Sequence, residues 1–309
     1  MGYFYGPVPS RRLGISLGVD LLPLKTCSFD CLYCQLGRGV RKTVKRRSYI
    51  DLESFKKELR TNLEKNQRID YITISGSGEP TLHKGLDKII KTIKKISKNK
   101  YPVCVITNSS LLYRKAVRQE LKEADLIIPS LDAATASVFR KVNRPYKSIT
   151  FEKTLKGLLA LRKEYKGKIW LEIMLIGGIN DSLSQAEKFK IIIEKIKPDK
   201  VQLNTPIRPA GMKISLPSPK RLEKIRDILS ASSEVITSFS SRKKPVGDSK
   251  DLEKKILRYL KVRPATLGDL SDSLGLNSNV IIKSLNSLLE KKCIKKQPHK
   301  DKMYFVRDD

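Results

Sequence analysis

From about residue 50 to residue 230 the chain alternates short β-rich runs with amphipathic helical runs, and this alternation limits the fold more than any other feature. The β-rich runs are Ile69–Ser75, Pro102–Thr107, Leu126–Leu131, Lys168–Ile176 and Val201–Asn204. Around them the spacing predicts helices over Leu52–Asn66 with Asp51 as cap, Lys84–Ser97, Ser110–Glu123, Ala133–Lys141, Phe151–Tyr165, Ser182–Ile196 and Pro219–Ser230. An earlier alternating run, Leu13–Asp20, reads as a first strand, with Gly14 and Gly18 where something approaches closely. That makes six strand-plus-helix units. Such alternation implies a parallel sheet with right-handed crossovers. Six units suit a partial barrel better than a complete eightfold one. The expected fold is therefore α/β, a partial (β/α)6 barrel.

Three of the five cysteines lie in Cys27-Ser28-Phe29-Asp30-Cys31-Leu32-Tyr33-Cys34, spaced C-x3-C-x2-C. A structural zinc site is closed by four protein ligands. A 4Fe–4S cluster normally takes one thiolate per iron. Three close cysteines leave one iron open to a group that is not protein. On spacing alone, other readings stand beside this one. Cys104, Cys293, His83 or His299 could complete a zinc site. An ordinary cluster could take a remote fourth ligand, or the thiols could pack as small hydrophobes.

In a parallel barrel, chemistry gathers at the C-terminal ends of the strands. Those ends are Ser75-Gly76-Ser77-Gly78-Glu79-Pro80-Thr81, Thr107-Asn108-Ser109, Ser130-Leu131-Asp132, Glu172 with Gly177-Gly178-Ile179-Asn180-Asp181, and Gln202-Leu203-Asn204-Thr205-Pro206. Singly, each is also what a turn or helix cap uses. As an ordered set behind C-x3-C-x2-C, with the aromatic Tyr33 just before the third cysteine, they resemble the radical S-adenosylmethionine (SAM) enzymes over about residues 10–215. The resemblance implies that Cys27, Cys31 and Cys34 hold a 4Fe–4S cluster and that SAM chelates the fourth iron. An electron, from a donor such as a flavodoxin or ferredoxin, would then cleave the sulfonium. The resulting 5′-deoxyadenosyl radical would abstract hydrogen from a substrate. It further implies a cofactor-binding set of Tyr33, Gly76, Gly78, Glu79, Asn108, Ser130, Asp132, Arg144 and Asn204. Glu79 would accept a hydrogen bond from the SAM ammonium, and Ser130 and Asp132 would reach the ribose or amino-acid end. Arg144 would neutralise the carboxylate, and the backbone at Asn204 would meet adenine. Ser77 stands where the family has the first glycine of a pair. No residue is assigned to hydrogen donation.

The charge bears on the substrate. Lys+Arg is 63 against 32 Asp+Glu, a formal net charge of +31. That favours polyanions through counterion release, although lysines on solvated helix faces such as Lys91–Lys100 contribute to it. The basic loop Gly37–Arg47 is expected at the cluster mouth, as a contact for an anionic substrate. Arg11 and Arg12 suit either an anion or a surface salt bridge. After the polar stretch Ser238–Ser249 comes a helix over Leu252–Val262, a Thr266-capped helix to Leu274 and a Ser278-capped helix carrying Val280, Ile281, Leu285, Leu288 and Leu289. A hairpin from Cys293 to Val306 completes a segment that resembles a winged helix, a module that places its third helix in a DNA major groove. The base-reading set of that helix, Asn279, Lys283, Ser284 and Asn286, is modest, so nucleic-acid binding and protein contact both stand. The expected domains are 1–235 and 251–309, with a linker over 236–250.

Ser10-Arg11-Arg12, Pro23 and Cys27 are loosely similar to the wyosine-base synthases that modify tRNA, but their second cysteine trio is missing, which argues against that chemistry and against methylthiolation. The expectation is a radical SAM enzyme for a large anionic substrate, with RNA favoured. A peptide or small-molecule substrate is the near alternative, and an iron–sulfur redox sensor binding DNA the distant one. The chain has no long apolar run for a membrane span, and its first residues carry no leader pattern, which implies a cytoplasmic protein.

Overall fold

The structure is a computed structural model that describes residues 2–65, 68–229, 232–236 and 251–308. Residues 237–250, most of the expected linker, lie outside the described residues. In chain order, β1 (Phe4–Ser10) and β2 (Gly14–Val19) form an antiparallel pair. The two-residue strands β3 (Thr26–Cys27) and β4 (Arg41–Lys42) close the base of the cysteine loop. Then follow α1 (Leu52–Leu63), β5 (Tyr71–Ile74), α2 (Leu86–Ile96), β6 (Val103–Thr107), α3 (Lys115–Glu120) and β7 (Leu126–Pro129). The barrel ends with α4 (Ala136–Asn143), α5 (Phe151–Glu164), β8 (Lys168–Met174), α6 (Leu183–Ile196), β9 (Lys200–Asn204), α7 (Pro219–Leu229) and β10 (Ser233–Val235).

The main sheet runs β1-β2-β5-β6-β7-β8-β9-β10. It is parallel from β2 onward. The six expected strands are all present, and β1 and β10 are added at the edges. β1 contains Pro7 and Pro9, which cannot donate to a ladder and are tolerated on an edge strand. β10 is only three residues long, too short for a periodic signal. Central strands are buried on both faces, as in Leu126-Ile127-Ile128. The helices bury one stripe each, as α2 does with Leu86, Ile89, Ile90 and Ile93 while its lysines face out. Asp51, Thr150 and Ser182 cap α1, α5 and α6 by accepting from Ser54, Lys153 and Gln185 N–H groups. Ser16 of β2, Thr73 of β5, Ile106 of β6, Glu172 of β8 and Asn204 of β9 all line one cavity, so the sheet curls into a partial barrel. The close approach expected at Gly18 is the Tyr5 ring; a Cβ at Gly18 would stand 2.0 Å from Tyr5 Cζ.

Beyond the barrel come α8 (Leu252–Val262), α9 (Leu267–Leu274), α10 (Ser278–Glu290) and the hairpin of β11 (Ile294–His299) with β12 (Lys302–Arg307). Thr266 and Asp269 form a reciprocal capping box on α9. Asn277, not Ser278, caps α10. The buried stripe of α10 is Ile281, Leu285 and Leu288, at i, i+4 and i+7, which leaves Val280 39% exposed. The module's core includes Val8 of β1. Lys261 pairs with Asp20 at 2.9 Å. Arg208 Nε donates to the Pro264 carbonyl (3.0 Å) and the Tyr304 hydroxyl to the Ile207 carbonyl (3.0 Å). The module thus joins β1, at one edge of the sheet, to the segment that follows β9 near the other. Among the described residues no helix is long and apolar enough to cross a membrane.

Candidate active site

The cysteine loop is held by its backbone. Arg41 N–H donates to the Lys25 carbonyl and Thr43 N–H to the Cys27 carbonyl, both at 2.8 Å, which closes the base. Leu32 N–H donates to the Val142 carbonyl (2.9 Å) and Tyr146 N–H to the Ser28 carbonyl (2.8 Å), fixing the loop against the end of α4. The buried Phe29 ring meets Phe139 edge to face at 5.4 Å. So held, Cys27, Cys31 and Cys34 line one cavity of ≈ 370 Å³. Asn108 Nδ2 donates to Cys27 Sγ (3.4 Å) and Asn143 Nδ2 to Cys31 Sγ (3.6 Å). Burial, then Glu79, pushes the Cys27 thiol up to about 12; burial, then Asp132, raises Cys31 well above its ordinary value. Bare, these thiols are inert. A bound cationic centre reverses that preference and takes thiolates. Among the described residues no group of three His, Cys, Asp or Glu side chains could hold a single metal ion. The alternative fourth ligands are also placed elsewhere. Cys104 sits on β6 in an apolar cluster with Leu13, Leu126 and Ile128. His83 Nδ1 accepts from Tyr49 N–H (3.2 Å), and Cys293 and His299 belong to the C-terminal module.

Gly78 is where the loop after β5 touches the cysteine loop. Glu79 N–H donates to the Thr26 carbonyl (3.1 Å), and a Cβ on Gly78 would stand 2.1 Å from that same oxygen. Ser77, the departure from the family pattern, has a local reason: its hydroxyl donates to the buried Asp20 carboxylate at 2.7 Å. Glu79 is 2% exposed. Its Oε1 accepts from Thr81 N–H (3.1 Å), the Thr81 hydroxyl (2.5 Å) and the Thr107 hydroxyl (2.6 Å), and its Oε2 from Asn108 N–H (2.7 Å). Burial raises its pKa while these four bonds lower it. Oε2, with a single donor, is the oxygen with capacity left for an ammonium.

Of the other expected residues, Tyr33, Gly76, Asn108, Ser130 and Asn204 line the cavity. Asp132 does not. Its carboxylate accepts from the Tyr33 hydroxyl, Asn143 Nδ2 (2.7 Å) and Met174 N–H (3.0 Å), and burial lifts it to about 6 against those bonds. It braces the site from behind. Arg144, expected at a SAM carboxylate, instead caps α4 and pairs with Asp30 at 2.8 Å, outside the cavity lining. Asn204 Nδ2 donates to Glu172 (2.6 Å), whose other oxygen pairs with Arg12 at 2.8 Å. Burial would raise Glu172, yet Arg12 and Asn204 hold it below its ordinary value. Arg12 is therefore an internal ion pair. In the basic loop, Arg46 is structural, gripping Glu120 and the Thr81 and His83 carbonyls (both 2.8 Å). Arg38, Arg41, Lys42, Lys45 and Arg47 remain exposed. Sequence reasoning missed Asn143, Arg208 and Arg263. Arg208 follows the last strand-end motif, a cue of position. Asn143 and Arg263 carry no local signal.

The family described as the radical SAM superfamily matches residues 21–189, more than half of the chain. The chain belongs to that superfamily. Its membership makes it an enzyme, with a 4Fe–4S cluster and SAM as cofactors. It is 33% identical over 314 residues to the UPF0026 protein MJ1312 of Methanocaldococcus jannaschii, covering 98% of this chain and 95% of that protein. It is 40% identical over 291 residues to a protein named GTPase Obg from Brachyspira hyodysenteriae, covering 93% of this chain but only 42% of that longer relative. A radical SAM methyltransferase from Sphaerobacter thermophilus shares the fold, with a TM-score of 0.52 at 18% identity over 71% of this chain and 65% of that one. The donor set fits the superfamily's cluster: three thiols, two of them met by amide N–H groups, open on the cavity that Gly78 and Glu79 border.

Proposed function

We propose that this radical SAM enzyme removes a hydrogen atom from an anionic substrate bound in the barrel. Cys27, Cys31 and Cys34 would hold the cluster, and Glu79 Oε2 with the Gly76–Gly78 backbone would take the SAM ammonium. When bound, the two cofactors supply a 5′-deoxyadenosyl radical. The chain's own contribution is to position and enclose. Asn108 and Asn143 donate to the Cys27 and Cys31 sulfurs, contacts that would tune the potential of a cluster held there. The Asp132–Tyr33 bond and the Phe29–Phe139 contact hold the cysteine loop rigid. The observation that carries this reading is the convergence of the cysteine loop with the ends of β5, β6, β7 and β9 on one cavity. The electron donor would be an acidic flavodoxin or ferredoxin, to which a chain of net charge +31 is complementary. The same charge suits a phosphorylated substrate, from a small phosphate ester to RNA.

Anaerobic reconstitution with iron and sulfide, then reductant and SAM, should yield 5′-deoxyadenosine. Intact cluster with no such product would sink the enzyme reading and favour a redox regulator. RNA from cells with and without the protein, compared nucleoside by nucleoside, should differ if RNA is the substrate.

A further inference from the structure

The charged lining of the cavity is unbalanced. Arg12 is neutralised by Glu172, and Glu79 is bonded within the protein. Three more guanidiniums line the same cavity: Arg11 from the β1–β2 hairpin, Arg208 from the segment after β9, and Arg263 just past α8. The ion pairs of the described residues include none of them. Arg208 uses Nε on the Pro264 carbonyl (3.0 Å). Arg263 lies over the Tyr259 ring at 4.7 Å, and its Nη2 donates to the Tyr259 hydroxyl at 2.7 Å, while its buried Nε has no partner. Those contacts fix two guanidinium planes and leave most of their five N–H donors unspent. Arg263 is raised against its burial by Tyr259, Tyr5 and Asp269, whereas the other two are repelled by their neighbours. Burial, then Arg208, holds Arg11 down to about 10, and burial, then Arg263, lowers Arg208. Like charges brought together in a half-enclosed cavity destabilise the fold unless an anion joins them.

We infer that Arg11, Arg208 and Arg263 form a phosphate-binding subsite for a small phosphorylated substrate, completed only when the C-terminal module is docked on the barrel. The inference rests on the proposed radical chemistry for calling the ligand a substrate. Phosphate is favoured because a guanidinium fork matches its oxygens bidentately. Three cations also call for more than the single charge of a carboxylate, SAM's own included. A small ligand is favoured over a polymer by enclosure. The carbonyls of Val262 and Pro264 are tied to Gln35 (3.2 Å) and Arg208 (3.0 Å) across the seam. The cavity of ≈ 370 Å³ also borders the cysteines and Gly78, so the space left at the seam suits a small group rather than a polymer.

The test is calorimetric titration of the full chain with inorganic pyrophosphate at low ionic strength, with acetate as the monovalent control. Pyrophosphate should bind at one site and acetate should not. Arg263→Gln and Arg208→Gln should each weaken pyrophosphate about tenfold or more, the loss of one charge-assisted fork. Arg263→Lys, which keeps the charge and loses the fork, should fall between. Lys95→Gln, on the exposed face of α2, should bind as the parent does. SAM affinity of the reconstituted Arg263→Gln protein, by equilibrium dialysis, should stay within about twofold of the parent, because the lost contacts are to phosphate. Unchanged pyrophosphate affinity in both Gln variants overturns the subsite. A matching loss of SAM affinity overturns it too, by making the trio a cofactor-carboxylate site. A single-stranded RNA oligonucleotide that displaces pyrophosphate and itself binds more tightly would replace the small substrate with RNA. Melting curves of each variant separate misfolding from lost contacts. If pyrophosphate binds as described and no 5′-deoxyadenosine forms, the radical reading fails while the subsite stands.

Discussion

The cysteine end of the barrel and its seam with the C-terminal module both bury polar groups, and they do so in opposite ways. At the cysteine end every carboxylate is answered from nearby: Glu79 by four donors, Asp132 by three, Asp20 by Ser77, Leu22 and Lys261. At the seam three guanidiniums from distant parts of the chain share a cavity, and the ion pairs of the described residues include none of them. The first arrangement is a finished scaffold around thiols. The second is a scaffold with unspent donors, which is what a binding site looks like before its ligand arrives.

The sharpest way to break this contrast is Cys31→Ser. If the trio holds the cluster, the reconstituted variant should lose most of its iron, and 5′-deoxyadenosine should fall to background. Stability should change little, since Cys31 is only partly buried and serine keeps its size. Iron and sulfide content with product analysis decide it; a fully active variant would show that the thiols merely pack.

Next in size is the seam itself. Lys261→Met leaves Asp20, which is 7% exposed, without its cation. Breaking a buried pair costs about 3–5 kcal/mol, and the remaining bonds from Ser77 put the expected loss near the lower end. Urea unfolding measures it. A loss within experimental error would mean that the module rests on β1 by apolar contact alone.

The cysteine end has a pH signature of its own. His83 is buried below the Glu79 turn, and burial holds its pKa down to about 4, with Arg46 working the same way and Glu120 against it. A histidine depressed in the folded state stabilises the fold above its unfolded value near 6.5, and that contribution is lost as pH falls towards 4. Between pH 6.5 and pH 5 the unfolding free energy should drop by about 1.5 kcal/mol from this group. His83→Gln should flatten that part of the profile. An unchanged slope would mean that His83 is not the group responsible.

How much of this was legible in the chain follows the same division. Six strands, their helices and the cysteine loop were readable because each is a contiguous pattern: 3.6-residue stripes, β-branched runs, a C-x3-C-x2-C spacing. Cys27, Glu79 and Asn108 lie in such runs and were found together. Asp132 and Arg144 lie in similar runs, yet tertiary partners drew them away from the cavity, Asp132 to Tyr33 and Asn143, Arg144 to Asp30. β1 was hidden by its prolines. The arginine trio was hidden by distance in sequence: nothing local to Arg263 says that the end of α8 will face a hairpin some 250 residues earlier.

The smallest expected effect concerns the exposed face of the module. Val280 and Ile282 on α10 are 39% and 38% exposed, beside Asn279, Lys283 and Asn286. Ile282→Lys removes little buried area, so stability should move by no more than about 0.5 kcal/mol. The substitution adds a cation to the helix that a winged-helix module would lay in a groove. If that face meets nucleic acid, a generic RNA or DNA oligonucleotide should bind several-fold tighter, with a steeper salt dependence. If the face meets a protein or nothing, binding should be indifferent to the change. The second outcome would leave closure of the barrel as the module's remaining work, and would place substrate recognition in the seam rather than on the surface.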